Sequence, residues 1–311
     1  MSSLTEIKKY EDLSFGQWKA LATKCGGLDN VLAILRGEKN VRIQLEEILL
    51  KLFDKNGRRI PDKNLKNAVC DPNKDFYLEQ PQLETLDDFS GRLIRFQEFF
   101  HPGPFMSVSE FQARSQELIK EIENNENLVN LLKGIHLPII LPKLENFEDY
   151  GETLEKVFLP AVKLGYERQF PEKKFHNCRE KDLKGKVGIV EGSRHEKLLE
   201  KMKQNYVVGI YFPNPFQGFS VLASREQMTT LPESFLLAGG FDSASAQAMY
   251  PDVLARDYHT LGYDLSALIW QSPDYSLHFG ADDGRLSFVG GALLGGACGG
   301  CSSGLFFLGS A

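Results

Sequence analysis

Apolar residues recur at helical spacing in much of the first half of the chain. Phe15–Lys24 and Leu28–Arg36 each carry such residues three and four positions apart, with Ser14 placed as an N-cap and Gly26-Gly27 between the two segments. The same period predicts further helices over 86–100, 108–124, 126–133 and 150–164. The N-terminal part of the chain is therefore expected to be rich in helix.

Short apolar runs bounded by Gly, Pro, Asn and Asp are typical of strands, and most of them lie in the second half. Strands are predicted over 41–53, 136–144, 187–190, 206–212, 219–223, 234–238, 267–271, 275–279, 286–289 and 304–308. Two prolines limit 136–144 to an extended segment or an edge strand. Asp54–Gly57 and Asp282–Gly284 are turn signals, and helical segments are predicted over 193–202, 243–250 and 251–257.

This order of elements predicts an α+β protein with two regions. Residues 1–135 form a helix-rich N-terminal region with a short hairpin. Residues 136–311 form an α+β region, mixed in the middle and ending in a Gly-rich, largely antiparallel sheet. Composition supports a change from a helix-rich to a sheet-rich region along the chain, because the last lysine is Lys203 and 15 of the 28 glycines lie in 204–311.

Charge and composition narrow the class of protein. The chain is 42% hydrophobic and 25% charged with a formal charge of −6, which indicates a soluble globular protein and argues against one that wraps nucleic acid over its surface. Residues 1–60 are mildly basic, with 11 Lys and Arg against 8 Asp and Glu, and the helix pair at 14–37 invites a helix-turn-helix interpretation. Its second helix offers only Arg36 to read bases, so a small structural hairpin is the favoured interpretation and nucleic acid is not an expected partner.

Location is inferred from the N-terminal residues and the cysteines. The first residues, MSSLTEIKKYEDL, contain no apolar signal-peptide core, and five cysteines do not indicate a disulfide scaffold in a chain this long. A cytoplasmic location is expected. The uncharged segment Leu286–Ala311 is long enough to cross a membrane. Its glycines and the absence of a basic anchor after it favour strands, so no membrane partner is expected.

Cys298-Gly-Gly-Cys301 comes closest to recognisable chemistry. Two thiols at this spacing suit a redox pair or half of a tetrahedral zinc site. His176 and Cys178 are the donors that would complete such a site, but nothing in the spacing brings them to it. The glycines are explained by tight turns or close packing. We expect no metal and no cofactor, with His176, Cys178, Cys298 and Cys301 as the alternative metal site.

A strand, a Gly-Ser pair and a helix follow one another around Gly192–His195. The N-terminus of a helix can hold an anion, so Gly192, Ser193, Arg194 and His195 form a candidate anion-binding site. The same segment fits a capping box, in which Ser193 caps the helix and Glu196 reaches back to its N–H. The capping interpretation needs no ligand.

No catalytic motif is matched, and the catalytic residues are unknown. Ser243, for example, lacks the glycines of a nucleophile elbow. The favoured function is a non-catalytic binding or interaction protein, with a protein partner or a homo-oligomer as candidates. The alternative is a hydrolase or transferase that binds an anionic small molecule at 192–195, with Asp242, Asp252 or Asp257 nearby. A deep cleft joining Arg194, His195 and Asp242 would favour the enzyme, and an exposed apolar patch would favour the binding protein.

Five motifs are spread over most of the chain: WKALATKCGGLDNVLAILRGE (Trp18–Glu38), GSRHEKLLEKM (Gly192–Met202), VVGIYFPNPFQGFSV (Val207–Val221), LPESFLLAGGFD (Leu231–Asp242) and YPDVLARD (Tyr250–Asp257). Together they resemble a family of uncharacterised bacterial proteins found largely in candidate-phylum bacteria. The resemblance implies a bacterial, intracellular protein. That family has no assigned activity or ligand, so the resemblance implies no functional residue.

Overall fold

The computed structural model describes residues 14–39, 51–100, 105–145, 147–272 and 274–309. The chain forms two compact units, Met1–Ile48 and Leu49–Ala311. Residues on both sides of the predicted boundary at 135/136 share one core within the second unit, for example Phe96 and Ile139. The strand or hairpin predicted over 41–53 lies mainly outside the described residues.

The described part of the first unit is a helical hairpin, as predicted. Helix α1 (Phe15–Lys24) begins at a capping box in which Ser14 accepts from the Gln17 N–H, and helix α2 (Leu28–Leu35) follows. Gly26 and Gly27 connect the two helices at φ +85° and +101°, angles that other residues rarely adopt. Local hydrogen bonds and this turn therefore set the shape of the hairpin.

The second unit contains the remaining helices and all the strands of the described chain. The helices are α3 (Leu86–Phe100), α4 (Val108–Glu123), α5 (Tyr150–Thr153), α6 (Leu159–Gln169), α7 (His195–Gln204), α8 (Val221–Met228), α9 (Gly240–Met249) and α10 (Pro251–Leu254), with a 3₁₀ turn at Val129–Lys133 and a π turn at Leu154–Phe158. The strands are β1 (Leu137–Leu141), β2 (Lys174–Asn177), β3 (Val187–Ile189), β4 (Val207–Phe212), β5 (Phe235–Leu237), β6 (Gly262–Asp264), β7 (Leu268–Trp270), β8 (Tyr275–Ala281), β9 (Arg285–Leu293), β10 (Cys301–Ser303) and β11 (Leu305–Phe307). The predicted α+β class is confirmed.

A four-stranded antiparallel sheet, in the order β1-β4-β11-β5, is buried on both faces. On one face Phe306 lies opposite Tyr211 and Leu236, and these side chains join the larger core. On the other face Leu305 and Phe307 join a second core. Burial on both faces explains why these strands read as continuous apolar runs rather than alternating ones.

A five-stranded sheet, in the order β10-β6-β8-β9-β2, lies beside it in the same unit. Its hairpin β8–β9 turns at Asp282, whose carboxylate accepts from the N–H groups of Gly284 and Arg285, both at 2.9 Å, as the turn signal predicts. Strands β10 and β11 are separated only by Gly304. A side chain there would lie 2.8 Å from the Tyr211 hydroxyl, so this glycine permits the step from one sheet to the other.

Helix α9 is buried along its whole length, because its many small residues allow neighbouring elements to pack closely around it. It packs on α6, where a Cβ at Gly165 would lie 2.6 Å from the Ala248 carbonyl oxygen. The following helix α10 is tied to α3 by Arg92, which binds both carboxylate oxygens of Asp252 at 2.6 and 2.8 Å. The close packing of α6 on α9 and the ion pair between Arg92 and Asp252 thus hold the helices together.

Two predicted elements differ in the structure. The strand predicted over 219–223 is wrong: Ser220 caps helix α8, its hydroxyl accepting from the Ala223 N–H. The apolar run does not distinguish the two elements, because a short buried helix and a buried strand have the same composition. The helix predicted over 126–133 is a 3₁₀ turn at Val129–Lys133. Among the described residues there is no helix with the length and apolar character to cross a membrane.

Substitution of Gly209 by alanine is expected to destabilise the central sheet. A Cβ at Gly209 would lie 2.2 Å from the Phe306 ring, which is fixed between two strands. We expect the free energy of unfolding to fall by about 1–3 kcal/mol, the usual range for overpacking a core. Urea denaturation measures it. Gly291→Ala in β9, where nothing lies within 4 Å of the new Cβ, is the control and is expected to change little.

Candidate functional site

The predicted anion site lies between β3 and α7, and its arginine is engaged elsewhere. The Arg194 guanidinium donates to the carbonyl oxygens of Leu231 and Pro232 at 3.0 and 2.7 Å, and it pairs with Glu233 at 3.0 Å. These contacts hold the segment before β5 against the start of α7. An anion site at Gly192–His195 stays a prediction, but this guanidinium is already committed to carbonyl groups.

The capping box predicted for Ser193 and Glu196 is wrong. Helix α7 begins at His195, after Arg194 in a left-handed conformation at φ 62°. The Ser193 hydroxyl donates to the Val190 carbonyl at 2.6 Å and accepts from the His195 N–H at 3.3 Å. Glu196 is exposed, and no hydrogen bond joins its side chain to other described residues. Arg194 would be the first helical residue of that capping box and would need right-handed helical angles, which its positive φ excludes.

Alanine substitutions separate these two residues. Ser193→Ala is expected to lower the free energy of unfolding by about 1 kcal/mol, because a buried hydroxyl with two partners is lost. Glu196→Ala is expected to stay within about 0.5 kcal/mol of the wild type, as for other surface changes. Chemical denaturation measures both. An equal loss in the two variants would contradict the structure and restore the capping box.

His195 belongs to a buried hydrogen-bond network. The Tyr150 hydroxyl lies 2.9 Å from His195 Nε2 and accepts from the N–H groups of Gly240 and Phe241 at 2.9 and 3.3 Å. Because that oxygen already accepts two bonds, its hydrogen is donated to Nε2, and the imidazole is neutral. Burial lowers the pKa of His195 to about 4.

Asp242 lies at the same helix start but is equally inaccessible. Its Oδ1 accepts from the Gly239 N–H at 2.8 Å, and burial raises the pKa of the carboxyl to about 7. His195 and Asp242 are both 0% exposed. Both side chains therefore lie inside the core and do not face a cleft, which removes the feature that would have favoured an enzyme at this point.

The buried imidazole gives a defined pH dependence. In the unfolded chain His195 takes up a proton below its ordinary pKa of about 6.5, whereas in the folded chain it does so only near 4. The stability contributed by the neutral imidazole is therefore present above 6.5 and lost as the pH falls to 4.

We expect the stability difference between the wild type and His195→Gln to decrease by roughly 3 kcal/mol from pH 7 to pH 4. Urea titrations of both proteins at several pH values measure this difference. A difference that does not change with pH would show that His195 is solvated in the folded protein.

The four residues of the alternative metal site do not come together. His176 lies on β2 and Cys178 directly follows that strand, whereas Cys301 opens β10. These strands are the two opposite edges of the five-stranded sheet, on the order of 19 Å apart at the usual strand spacing. No group of three or more His, Cys, Asp or Glu side chains within the described ranges is arranged to hold a metal ion.

Cys298 and Cys301 lie at the two ends of a tight turn. The Cys301 N–H donates to the Cys298 carbonyl oxygen at 3.1 Å. A Cβ at Gly299 would lie 2.7 Å from the Asp71 carbonyl oxygen, and one at Gly300 would lie 3.0 Å from the Phe76 ring. Both glycines are therefore required by close packing, as the sequence suggested, and the turn is pressed against the segment 70–76.

That segment brings a third thiol to the turn. Gly218 donates its N–H to the Cys301 carbonyl at 3.1 Å and accepts from the Cys70 N–H at 2.8 Å. Burial, and after it the neighbouring Cys298, raises the pKa of the Cys70 thiol. Cys25 and Cys178 are exposed thiols outside this cluster.

A histidine and an aspartate share the sheet face on which Cys301 lies. Cys301 pairs with Gly262, and Asp264, two residues further on, pairs with His278 on β8. Paired residues, and residues two apart on one strand, point to the same face. His278 Nδ1 lies 3.4 Å from Asp264 Oδ1.

Gly262 leaves room between these groups. A Cβ at Gly262 would lie 3.3 Å from His278 Cε1 and 3.5 Å from Cys301 Sγ, so the imidazole and the thiol flank this glycine. Burial, then the Asp264 carboxylate, then Cys298, raise the pKa of the Cys301 thiol. Cys301 is therefore a thiol and not a thiolate at neutral pH.

A cavity of about 410 Å³ opens beside the turn. Both motif cysteines line it, together with Phe76, Tyr258 and Thr260. We define the thiol site as Cys298, Cys301, Cys70, Asp264 and His278, together with this cavity. Its two cysteines were visible in the sequence.

The other three members were missed, because each is brought in by strand pairing or by loop packing. The one available signal in the sequence was the alternation of apolar and polar residues over Leu277–Phe279, which places His278 on the face of β8 opposite to Leu277 and Phe279.

A comparison of the chain with protein-family models, with curated proteins and with solved structures gave no match.

Proposed function

We propose that this protein is a binding protein, and that its N-terminal helical hairpin (residues 14–39) is the docking element for a partner protein. One observation carries the proposal. The hairpin contains no buried residue, and it exposes six large apolar side chains: Phe15, Trp18, Leu21, Leu28, Leu32 and Leu35. Exposed apolar residues scattered singly are ordinary, but a group of this size on one small element is typical of an interaction surface.

The leucines of α2 form one stripe. Leu28, Leu32 and Leu35 are spaced four and three residues apart, which places them on the same side of a helix. Leu28 is 66% exposed and Leu35 is 77% exposed. Burial of such a side chain against a partner contributes about 1.5–3 kcal/mol each. The stripe fits a helix-in-groove mode of recognition.

The shape of the hairpin is set without that burial. Besides the capping box, the Asn30 side-chain amide donates to the Gly26 carbonyl at 3.2 Å, and Lys39 donates to the Asn30 side chain at 2.9 Å. Local bonds thus organise the apolar face before a partner is bound. Preorganisation of this kind lowers the entropic cost of association.

Charge indicates the chemistry of the partner. Residues 14–39 contain four basic side chains and two acidic ones. The complementary surface is an apolar groove edged by carboxylates. The leucine stripe also argues against a base-reading helix, because leucine offers no hydrogen bond to base edges.

The test compares three full-length proteins. Leu28→Asp with Leu35→Asp removes the stripe. Ala20→Asp with Thr23→Asp adds the same charge to exposed positions away from the stripe and is the matched control. A photo-crosslinking amino acid is placed at position 32 in each protein, and each is incubated with extract of its source cells.

We expect a partner protein crosslinked at position 32 in the wild type and the control, and at least tenfold less in the leucine variant, with equal unfolding midpoints. Crosslinks only within the chain, concentration-dependent self-association in sedimentation velocity, or flotation with phosphatidylglycerol vesicles would each overturn the proposal. The first would show that the chain covers its own stripe, and the others would identify a second copy or a lipid surface as the occupant.

A further inference from the structure

We propose that Cys298 and Cys301 are a reversible dithiol–disulfide pair that exchanges with an external disulfide. Cys298 is the attacking thiol, Cys301 is the resolving thiol, and Asp264 accepts the resolving thiol's proton. The inference rests on the thiol site of the second unit and is independent of the hairpin.

The geometry of the turn suits a disulfide. The bond from the Cys301 N–H to the Cys298 carbonyl closes an i→i+3 turn, which keeps the two Cα atoms within about 7 Å. A disulfide joins Cα atoms about 4.4–6.8 Å apart. Formation of the bond therefore requires a small adjustment of the turn and no rearrangement of the sheet.

Exposure assigns the two roles. Cys298 is exposed and lines the open cavity, so an external disulfide can reach it, whereas Cys301 is half-buried on the sheet face behind it. In thiol–disulfide exchange the accessible thiolate attacks first, and a second thiol then displaces the bound group. The cavity wall formed by Phe76 and Tyr258 accommodates the apolar part of the incoming group.

Asp264 is the proton acceptor that the resolving step needs. Cys301 is held as a thiol and must lose its proton before it can attack. Asp264 is 5% exposed and is the neighbouring carboxylate on the same face. His278 Nδ1 lies 3.4 Å from its Oδ1, but not in hydrogen-bond geometry, so this oxygen accepts no hydrogen bond from the described residues. A buried carboxylate oxygen that accepts no hydrogen bond, on the same sheet face as a thiol that must be deprotonated, is placed for this transfer.

The exchange balances in two steps. The Cys298 thiol first releases its proton to water, and its thiolate attacks the substrate R–S–S–R′. A sulfur–sulfur bond forms to R as the R–S–S–R′ bond breaks, and R′S⁻ leaves and takes a proton from water. Cys301 then passes its proton to Asp264 and attacks Cys298 Sγ, the bond from Cys298 to R breaks, and RS⁻ leaves with the proton from Asp264, which returns to the carboxylate. The protein loses two electrons and two protons, and the substrate is reduced to two thiols. The substrate class is a disulfide carried by a small thiol or by a protein.

The first experiment maps the bond. The full-length protein is treated with oxidised glutathione or, in a second arm, with a disulfide-linked peptide, then acid-quenched, alkylated and digested with trypsin. Arg285 is the last basic residue, so one peptide beginning at Leu286 contains both cysteines. We expect this peptide two hydrogens lighter and unalkylated. Faster reaction in one arm identifies the source of the disulfide.

Variants test the roles. Cys301→Ser is expected to accumulate one mixed disulfide on Cys298, and Cys298→Ser to lose at least tenfold in reaction rate. Cys25→Ser and Cys178→Ser, which remove exposed thiols elsewhere, are the matched controls and are expected to react like the wild type. Asp264→Asn is expected to leave release of the first thiol unchanged and to slow release of the second by about 10-fold to 100-fold. Asp264→Glu is expected to restore part of that rate.

Three results would overturn the proposal. A disulfide between Cys70 and either Cys298 or Cys301 would show that the redox pair is not Cys298 and Cys301. Oxidation of Cys298 and Cys301 no faster than that of Cys25 and Cys178 would show ordinary surface thiols. An Asp264→Asn protein that slows both steps equally, or that unfolds, while Cys301→Ser fails to accumulate the mixed disulfide, would remove the assigned roles.

Discussion

The three-residue strand Leu305–Phe307 is the constraint on which the second unit depends. It pairs with β4 on one side and β5 on the other, so it joins the two halves of the central sheet. Its alternate side chains enter two different cores, with Phe306 in one and Leu305 and Phe307 in the other. The strand cannot shift by one residue, because a shift would exchange every side chain between the two cores. Gly304 then fixes where the chain passes from β10 into this strand, and the thiol site is built around the start of β10.

Burial of this sheet on both faces also determines which hydrogen bonds the polar residues around it must make. Tyr150, His195 and Asp242 lie in a region without water, where an unpaired polar group is costly. The Tyr150 hydroxyl forms hydrogen bonds with three of these groups, one to His195 Nε2 and two from the N–H groups of Gly240 and Phe241, and His195 stays neutral. Tyrosine, histidine and aspartate, residue types common in catalytic sites, thus stabilise the first turns of α7 and α9 here. By contrast, the Cys298 thiol near the edge strand β10 and the leucines of the hairpin are exposed.

Two properties of the protein are therefore proposed from separate regions. The hairpin offers an apolar stripe whose shape is set by local hydrogen bonds, and the thiol site offers an exposed and a half-buried thiol beside a carboxylate. Each rests on a mismatch with what a purely structural element would show. A structural helix pair buries its leucines, and a structural cysteine pair needs no buried carboxylate oxygen, such as Asp264 Oδ1, that accepts no hydrogen bond.

The sequence alone determined the local elements, because they depend on near neighbours in the chain. Ser14 and Gly26-Gly27 specify the hairpin, Asp282 specifies the β8–β9 turn, and the glycines of CGGC were correctly attributed to close packing. Where two structures share one local pattern, the prediction failed, as for helix α8 and the Glu196 cap. Strand order and register were decided only by the tertiary structure. They separate His176 from Cys301 and bring Asp264 and His278 to it, while packing of the loop that contains Cys70 brings the third thiol. Contacts between distant residues are selected by the fit of whole faces in the core and leave no periodic signal in the chain.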